Sequence, residues 1–410
     1  MNQRIYLDHA ATRYPKPPVV LETMHAFSAE SEAAVGRGAY RSSRHAGEIV
    51  SRLRREIAAW IGADSDQEIS IHAGGTEALN AALLGVLRDG DHVVTTAAEH
   101  NSVLRPLHHL VSENIITWTV VPVDRGGRVS VDDILAAVTP TTRMVAVVHA
   151  TNVNGALQPI KEIGRRLVEE FDTATKPLFL SDAAQTFGHL PLSVADSQID
   201  LLAAPGHKGG WGPLGTGFLY VRRRFHDAIT PTVFGGTGTS SESLKMPTDY
   251  PSGFEAGNMN VPALAGWLAG LRSRSGGSSL SDAKEALSDA KEASRRAMLS
   301  LAETLYGRLR PIAGIRIIGE PDSLALPVAS IAVDGLAASD VAMILDSEFG
   351  IEVRSGLHCA ALIHEAISSP SDGTLRISCG ESTTIEDLDR LAVALTEIGH
   401  LDHGAGGSGL

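Results

Sequence analysis

Short apolar runs alternate with helix-like segments between about residues 45 and 225, and this alternation limits the fold more than any other feature. The runs are β-branched or fully apolar, which is typical of strands buried on both faces of a mostly parallel sheet. In one intervening segment, Ile49, Leu53, Ile57 and Trp60 fall on one helical face, and Gly62 follows as a stop signal. The sequence therefore predicts an α/β fold with strands at Glu68–His72, His92–Thr96, Ile116–Pro122, Met144–His149, Leu178–Ser181, Asp200–Ala203 and Gly217–Val221.

The rest of the chain indicates a second, smaller unit. A Gly- and Pro-rich stretch precedes a long helical region over residues 261–309, which contains two near-identical heptads at 280–293. Two heptads are too few for a coiled-coil seam, so we interpret them as part of a solvated surface helix. Strands and helices from about 315 to 398 indicate a smaller α+β domain. We predict a large domain over residues 18–262, a small domain formed by 1–17 and 263–403, and a mobile tail at 404–410.

The charge and cysteine content limit the possible partners and compartment. The 410 residues include 35 Lys and Arg against 48 Asp and Glu, a net charge of −13, which argues against a nucleic-acid or anionic-membrane partner. Two cysteines do not make a disulfide framework and indicate a reducing compartment. Arg4 and Asp8 bring charge too early for a signal peptide, and no apolar run reaches the roughly 18 residues of a membrane span. We therefore expect a cytoplasmic protein, and we predict no metal site.

A lysine flanked by glycines follows one predicted strand. The segment from Ala204 to Gly210 reads Ala-Pro-Gly-His-Lys-Gly-Gly, which places Lys208 just beyond an apolar run. Because glycines leave space beside it, such a lysine can approach a bound ligand closely. A lysine in a surface loop is the alternative interpretation of these residues taken alone.

An acidic residue follows the preceding predicted strand. Asp182 comes directly after Leu178–Ser181, and the carboxyl ends of strands border the ligand crevice of an open sheet. Pyridoxal phosphate (PLP) needs such a carboxylate, which keeps the pyridine nitrogen protonated and the ring an electron sink. Asp182 can also cap the following helix, and both roles can hold together. Asp182 and Lys208 follow consecutive predicted strands, and together they predict a PLP site.

A glycine-rich turn between a predicted strand and a helix suits the phosphate of that cofactor. It reads Gly74-Gly75-Thr76-Glu77. Glycines at a helix start expose backbone N–H groups to an anion, the helix dipole adds attraction, and the Thr76 hydroxyl is a further donor. A turn of this kind can also be no more than a tight turn.

The order of motifs resembles that of the class V, fold-type I PLP enzymes, and within them the cysteine desulfurases of the NifS/SufS kind. The resemblance covers nearly the whole chain and implies a large domain with a mostly parallel seven-stranded sheet, a smaller α+β C-terminal domain and a homodimer. Its segments are Tyr6–Thr12, Gly36–Gly38, Gly75–Glu77, Glu99–Ser102, His149–Asn152, Asp182–Gln185, Gly206–Lys208, Phe254–Gly257, Arg354–Ala360 and Gly373–Arg376.

The resemblance implies roles for residues around the cofactor ring. Lys208 would hold PLP covalently and move protons, and Asp182 would pair with the pyridine nitrogen. His100 would stack on the ring and assist proton transfer. Gln185 and Asn152 would lie near the phenolic oxygen.

It also implies contacts to the phosphate and to the substrate. Arg376 would hold the substrate carboxylate, for which the planar guanidinium fork is suited. Asn152 and Arg354 would be further substrate contacts. The phosphate would be bound by Gly75, Thr76 and His207.

Cys359 would be the nucleophile that takes sulfur from the substrate. The thiolate is the reactive form, and nearby positive charge, for which His358, Arg354 and Arg376 are candidates, lowers a thiol pKa. Without the resemblance, a small buried hydrophobe would be the better interpretation of a lone cysteine. Cys379 lies in an apolar stretch and is predicted to be inert core.

The chain also differs from the family pattern. Cys359 and Arg376 lie 17 positions apart, which places the chain with the short-loop, SufS-like subgroup, whose members often need a separate sulfur acceptor. Pro205 stands where the family usually has a phosphate-binding serine. Asn258 stands where a threonine usually reaches the phosphate of the other subunit, and its amide can still donate.

The sequence therefore predicts a homodimeric L-cysteine desulfurase that forms L-alanine and a persulfide on Cys359. A selenocysteine lyase, or a C–S lyase acting on a cysteine conjugate, is the alternative within PLP chemistry, since the amino-acid end of the substrate is the same. A non-catalytic scaffold is the other alternative, against which the presence of Lys208, Asp182, His100 and Arg376 argues.

Overall fold

The strands lie close to where the apolar runs predict them. A computed structural model of the chain describes residues 4–36, 38–173, 175–239, 242–274 and 284–401. Its strands are β1 (Ile5–Tyr6), β2 (Ile69–His72), β3 (His92–Thr96), β4 (Thr117–Val121), β5 (Thr142–Val148), β6 (Leu178–Asp182), β7 (Leu201–Pro205), β8 (Gly217–Val221), β9 (Ile315–Ile318), β10 (Val328–Val333), β11 (Ile351–Glu352), β12 (Arg354–Gly356) and β13 (Thr374–Ser378).

Helices separate most of these strands, as the βα alternation predicts. The amphipathic segment that Gly62 ends is a helix capped by that glycine in the left-handed conformation, φ +66°. The α-helices are α1 (Pro18–Glu30), α2 (Arg41–Ile61), α3 (Gly75–Val86), α4 (Asn101–Ser112), α5 (Val131–Ala136), α6 (Ile160–Glu170), α7 (Val261–Ser273), α8 (Lys284–Leu309), α9 (Ala338–Phe349), α10 (Ile363–Ala366) and α11 (Ile385–Leu401).

Seven of the described strands form the central sheet, in the order β2-β8-β7-β6-β5-β3-β4. Every pairing is parallel except those of β8, which runs antiparallel to both β2 and β7. The predicted α/β class with a mostly parallel seven-stranded sheet is therefore confirmed.

The central strands are apolar throughout because each of their faces belongs to a different core. In β7, Leu202 and Ala204 pack into a core with α2, α6 and α7, whereas Leu201 and Ala203 pack into a core with α3 and α4. Successive side chains of a strand point to opposite faces, so a strand covered on both sides has no polar alternation.

A smaller antiparallel sheet, in the order β12-β13-β10-β9, follows in the C-terminal part of the described chain. Helices α8, α9 and α11 cover it and share its core. The N-terminal strand β1 pairs with β11, and the residues after it run beside β13, since Ser378 N–H donates to the Leu7 carbonyl and His9 N–H to the Ser378 carbonyl. The predicted α+β character of this region is confirmed.

The division into domains stays a prediction. The boundary predicted between residues 262 and 263 falls inside α7, which packs against α1 and α2. The first four residues of the heptad pair, 280–283, lie outside the described residues, and the other ten, 284–293, lie in α8. The predicted tail at 404–410 also lies outside the described residues. None of the helices in the described part of the chain combines the length and apolar character that crossing a bilayer requires.

Candidate active site

The predicted site residues gather at one edge of the central sheet. Asn152 follows β5 and Lys208 follows β7, each by a few residues, while Asp182 is the last residue of β6. His100 follows β3 in the same way, and Gly75 follows β2. These strands are parallel to one another, so the loops after them leave the sheet on the same side, where ligands bind in open α/β sheets.

These loops enclose a cavity of about 220 Å³. Most of the side chains predicted to bind cofactor or substrate border it, and so do small residues of the N-terminal segment. The lining comprises Ala10, Ala11, Gly75, Thr76, Leu79, His100, Ser102, Val148, Ala150, Asn152, Asp182, Ala184, Gln185, Pro205, His207, Lys208, Arg354 and Arg376.

Lys208 and Asp182 supply an amine and a carboxylate to this cavity. Burial lowers the pKa of Lys208 to about 8, against the opposing effect of Asp182. Burial raises the pKa of Asp182, while the Ala184 N–H and Lys208 act in the other direction. One Asp182 oxygen accepts the Ala184 N–H at 2.8 Å. The residues after Asp182 form turns and not a helix, so the helix-cap interpretation of this residue is wrong, and its carboxylate borders the cavity instead.

His100 is neutral and held in one tautomer. Its Nδ1 accepts the Ser102 backbone N–H at 3.0 Å, so the proton of the neutral ring is on Nε2. Burial, with Lys208 next in effect, lowers its pKa to about 4. The Ser102 hydroxyl lies 2.9 Å from Nδ1 and 2.8 Å from the Thr76 hydroxyl. Ser102 therefore connects the proposed ring-stacking residue with the proposed phosphate site.

The start of α3 borders the cavity with Gly75 and Thr76. Gly74 precedes the helix without a side-chain cap, so the N–H groups of the first turn are available to a ligand. A β-carbon on Gly75 would lie 3.0 Å from Pro205 Cδ, and this close approach explains the glycine. Pro205 lacks the hydroxyl usual in the family, and it lies directly against this turn.

Arg376 is almost completely buried, with 1% exposure, and is oriented by two acceptors. Its Nη2 donates to Asp8 Oδ1 at 2.5 Å, and its Nη1 donates to the Asn152 carbonyl at 3.0 Å. Its Nε has no hydrogen-bond partner among the described residues. A guanidinium held this way can still donate to a carboxylate in the cavity.

Cys359 is exposed and lies in a loop that is attached to the site. Asn152 Nδ2 donates to the His358 carbonyl at 2.7 Å, and the Asn101 N–H donates to the Cys359 carbonyl at 2.7 Å. Both loop residues have positive φ, +51° for His358 and +58° for Cys359, a region that non-glycine residues seldom adopt. Cys359 is not among the cavity-lining residues, but its Sγ accepts from Nη2 of Arg354, which is, at 3.3 Å.

The structure corrects the expectation that His358 supplies positive charge to this thiol. His358 has 2% exposure, and its Nε2 lies 2.9 Å from the Thr374 hydroxyl. Burial, reinforced by Arg376, lowers its pKa to about 2, so it is neutral at physiological pH. Arg354 is the cation in contact with the sulfur.

Not every predicted residue belongs to the cavity, and some residues of the site were not predicted from the sequence. Asn258 is exposed and borders a separate cleft, so within one chain it does not join the site. Cys379 is buried in the small-sheet core, as its apolar context predicts. Sequence reasoning assigned no role to Ser102, Asp8 or Glu99, although all three fall within the quoted motifs.

The residues present fit PLP. The cavity combines an amine without a protein acceptor in the described chain, a buried carboxylate and a helix start free of a capping side chain. These are the groups needed for covalent attachment, for a protonated pyridine nitrogen and for a phosphate.

Comparisons with known proteins identify the family of this chain. The family model described as "Aminotransferase class-V" matches residues 5–391. A "Probable cysteine desulfurase" of Methanothermobacter thermautotrophicus is 35% identical over 406 residues, covering 97% of this chain and 95% of that protein. The apo structure of a cysteine desulfurase from Thermococcus onnurineus NA1 is 30% identical with a TM-score of 0.84, covering 97% of this chain and 95% of that one.

A second solved structure leads to the same family. The cysteine desulfurase CsdA of Escherichia coli, in an S-sulfonic acid form, is 26% identical with a TM-score of 0.82, covering 97% of this chain and 95% of that one. The match to the family model spans nearly the whole chain, and fold and cavity agree with it. This chain therefore belongs to the class-V aminotransferase family of PLP-dependent enzymes.

Proposed function

We propose that this chain is a homodimeric L-cysteine desulfurase in which Cys359 takes the substrate sulfur and L-alanine is released. One observation carries this proposal. Arg354 borders the cavity that contains Lys208, and its guanidinium contacts the Cys359 sulfur at 3.3 Å. An exposed thiol in contact with a residue that borders an amino-acid site is suited to attack the sulfur of a substrate bound there.

PLP, when bound, supplies an electron sink for the bonds at the substrate's α- and β-carbons. The chain's residues supply the rest. Arg376 holds the substrate carboxylate, Asp182 keeps a proton on the pyridine nitrogen, and Lys208 removes the α-proton. His100, neutral with its proton on Nε2, would stack on the cofactor ring and offer that proton as a donor. Gly75, Thr76 and His207 would bind the phosphate, and Gln185 and Asn152 would bind near the phenolic oxygen, since all five border the cavity.

The sulfur step balances without an external oxidant. The Cys359 thiolate attacks the substrate sulfur, forming an S–S bond while the carbon–sulfur bond breaks. The pair of electrons from that bond stays with the substrate carbon, which takes a proton and becomes the methyl group of alanine. Cys359 is left as a persulfide. Its outer sulfur is then transferred to an acceptor or released as sulfide by a reductant.

We also propose that the acceptor is a separate protein, as in the short-loop subgroup. The carbonyls of Leu357, His358 and Cys359 accept hydrogen bonds from His364, Asn152 and the Asn101 N–H. A loop attached at three consecutive residues carries sulfur only a short distance. Cys359 is exposed, so an acceptor can come to it.

The cleft that Asn258 borders supports the homodimer. Val233 borders it too, is 52% exposed, and is followed by Phe234, which is 77% exposed. Exposed apolar side chains next to a polar donor are typical of an interface. We propose that a second copy covers this region and receives Asn258 at its own phosphate site.

The test is turnover of L-cysteine with a reductant by wild type and by Cys359→Ala, with Cys379→Ala as the matched control. We expect equal alanine and sulfide from wild type and from the control, and neither product from the Cys359 variant, which should keep its visible cofactor spectrum. Pyruvate as the product, or full activity without Cys359, would reject the desulfurase and support a C–S lyase.

A selenocysteine lyase is tested in the same assay with L-selenocysteine as substrate. Turnover of selenocysteine that survives the loss of Cys359, without turnover of cysteine, would favour that activity. A protein that cannot be loaded with PLP would reject the whole proposal.

A further inference from the structure

The backbone before Lys208 is attached to the N-terminal segment. The His207 carbonyl accepts from the Lys16 ammonium at 2.5 Å, from the Arg13 N–H at 3.1 Å and from the Thr12 hydroxyl at 3.2 Å. Three donors on one carbonyl leave the peptide that precedes Lys208 little freedom.

The backbone after Lys208 is attached as well, by an arginine from the end of α7. Arg274 Nη1 donates to the Gly209 carbonyl at 2.5 Å, and Nη2 donates to the Gly188 carbonyl at 2.6 Å. A β-carbon on Gly188, whose φ is +80°, would lie 2.1 Å from the Gly209 oxygen. This close approach requires glycine, and it lets one guanidinium hold both segments.

Glu381 holds Arg274 and Arg13 together. It accepts from Nη1 of Arg13 and, at 3.1 Å, from Nη2 of Arg274. All three side chains are largely buried: Glu381 is 19% exposed, Arg13 is 11% exposed and Arg274 is 4% exposed. Both guanidinium groups also stack on the Trp211 ring, at 4.1 Å for Arg13 and 4.6 Å for Arg274. Burial opposes ionisation of Glu381, but Arg274, His189 and Arg13 keep its pKa below the ordinary value.

Glu381 belongs to the segment that carries Arg376. It follows β13 by three residues, and Arg376 lies within that strand. The same strand is attached to the N-terminal segment, because Arg376 donates to Asp8 and Ser378 exchanges backbone hydrogen bonds with Leu7 and His9. One connected set of contacts therefore runs from Arg376 to both peptides beside Lys208.

We propose that Glu381, acting through Arg13 and Arg274, is a positioning residue that fixes the separation between the carboxylate-binding Arg376 and the amine of Lys208. This inference rests on the proposed function for the roles of those two residues. Substrate carboxylate and α-carbon have a fixed distance between them, so the amine can reach the α-proton only if the two sites keep their spacing. Glu381 touches neither substrate nor cofactor and acts only through this array.

The test compares Glu381→Gln with Glu56→Gln. Glu56 is a matched control, since it is 2% exposed and pairs with Arg272, and neither residue borders the cavity. Two quantities are measured after circular dichroism has established folding. One is the pH midpoint for acetylation of Lys208 in PLP-free protein, read by peptide mass. The other is the dissociation constant of L-alanine from the PLP-loaded protein, read from the visible spectrum.

We expect the Glu381 variant to raise the acetylation midpoint by about one pH unit, because a loosened loop admits water to the amine. The alanine dissociation constant should rise about tenfold, the effect of losing roughly 1.4 kcal/mol of binding. Glu56→Gln should change neither quantity. Wild-type values in a folded Glu381 variant, or the same shifts in the control, would overturn the proposal.

A second variant covers the outcome that Glu381→Gln does not fold. Arg274→Lys keeps a cation beside Glu381 but cannot reach the Gly188 and Gly209 carbonyls together, so both shifts are expected in the same direction. If both variants unfold while Glu56→Gln folds, the array is structural and the proposal is wrong. If the shifts occur but wild type makes no alanine from L-cysteine, the desulfurase proposal fails and the positioning role stands.

Discussion

Glu99 gives a quantitative prediction about how the stability of the protein depends on pH. Its carboxyl is hydrogen-bonded to the backbone of Val148, which borders the cavity. Its side chain is fully buried, and Oε1 accepts from the Thr96 hydroxyl at 2.7 Å and from the Val148 N–H at 2.8 Å. Burial raises its pKa from 4.5 to about 8; the two hydrogen bonds oppose this rise, and Asp182 adds to it. At pH 7 the folded protein therefore holds Glu99 mostly as a neutral acid.

The perturbation is Glu99→Gln, which has nearly the shape of that neutral acid. Between pH 4.5 and 8 the carboxyl is ionised in the unfolded chain but protonated in the folded one. A folded pKa above the unfolded value contributes stability below pH 4.5 that is lost as the pH rises through about 8. The shift of about 3.5 pKa units corresponds to roughly 5 kcal/mol at 1.36 kcal/mol per unit. Glutamine does not ionise, so the variant should gain several kcal/mol relative to wild type between pH 5 and 8.

The assay is urea unfolding of both proteins at several pH values, with equal slopes required for the comparison. Glu397→Gln, at an exposed position of α11, is the control and should follow the wild-type pH profile. The infrared carboxylic-acid band at pH 7 gives an independent reading, since it should weaken in Glu99→Gln. Parallel pH profiles for Glu99→Gln and wild type, or an unchanged band, would show that the folded protein does not hold Glu99 as a neutral acid.

Three substitutions test the cavity itself. Arg376→Lys replaces a guanidinium oriented by Asp8 and the Asn152 carbonyl with a single ammonium group. We expect the loss of one charge-assisted hydrogen bond to the substrate carboxylate, worth about 1.5–3 kcal/mol, so KM for L-cysteine should rise roughly 10- to 100-fold. Arg316→Lys, in an exposed pair on the same small sheet, should not change KM. Asp182→Asn should keep PLP bound but lower kcat by about 100-fold or more, because an amide does not hold the pyridine proton; wild-type kcat would contradict that role. Ser102→Ala breaks the link between Thr76 and His100 and should weaken PLP binding about 5- to 10-fold in equilibrium dialysis, the value of one neutral hydrogen bond; unchanged affinity would show that the link is not used.

The positions of the site residues along the chain could be predicted because strand ends are visible in the sequence. Apolar runs end where polar side chains such as Asp182 begin, and parallel strands bring those ends to one edge. The antiparallel direction of β8 was not visible, since a buried strand has the same apolar pattern in either direction.

The charge state of a side chain could not be predicted in the same way. His358 looks like a cation beside Cys359 in the sequence, but burial keeps it neutral and leaves that role to Arg354. Ionisation depends on how much water and which charges surround a group, and both are set by segments far away in the chain.

The α/β fold, a ligand site at the strand ends and residue types that suit PLP follow from the order of residues along the chain. The contacts between distant segments do not. Asp8 meets Arg376 across 368 positions, and Glu381 meets Arg13 across the same separation. Local patterns report the neighbours of a residue along the chain, whereas contacts between distant segments arise only when sheets and helices pack together.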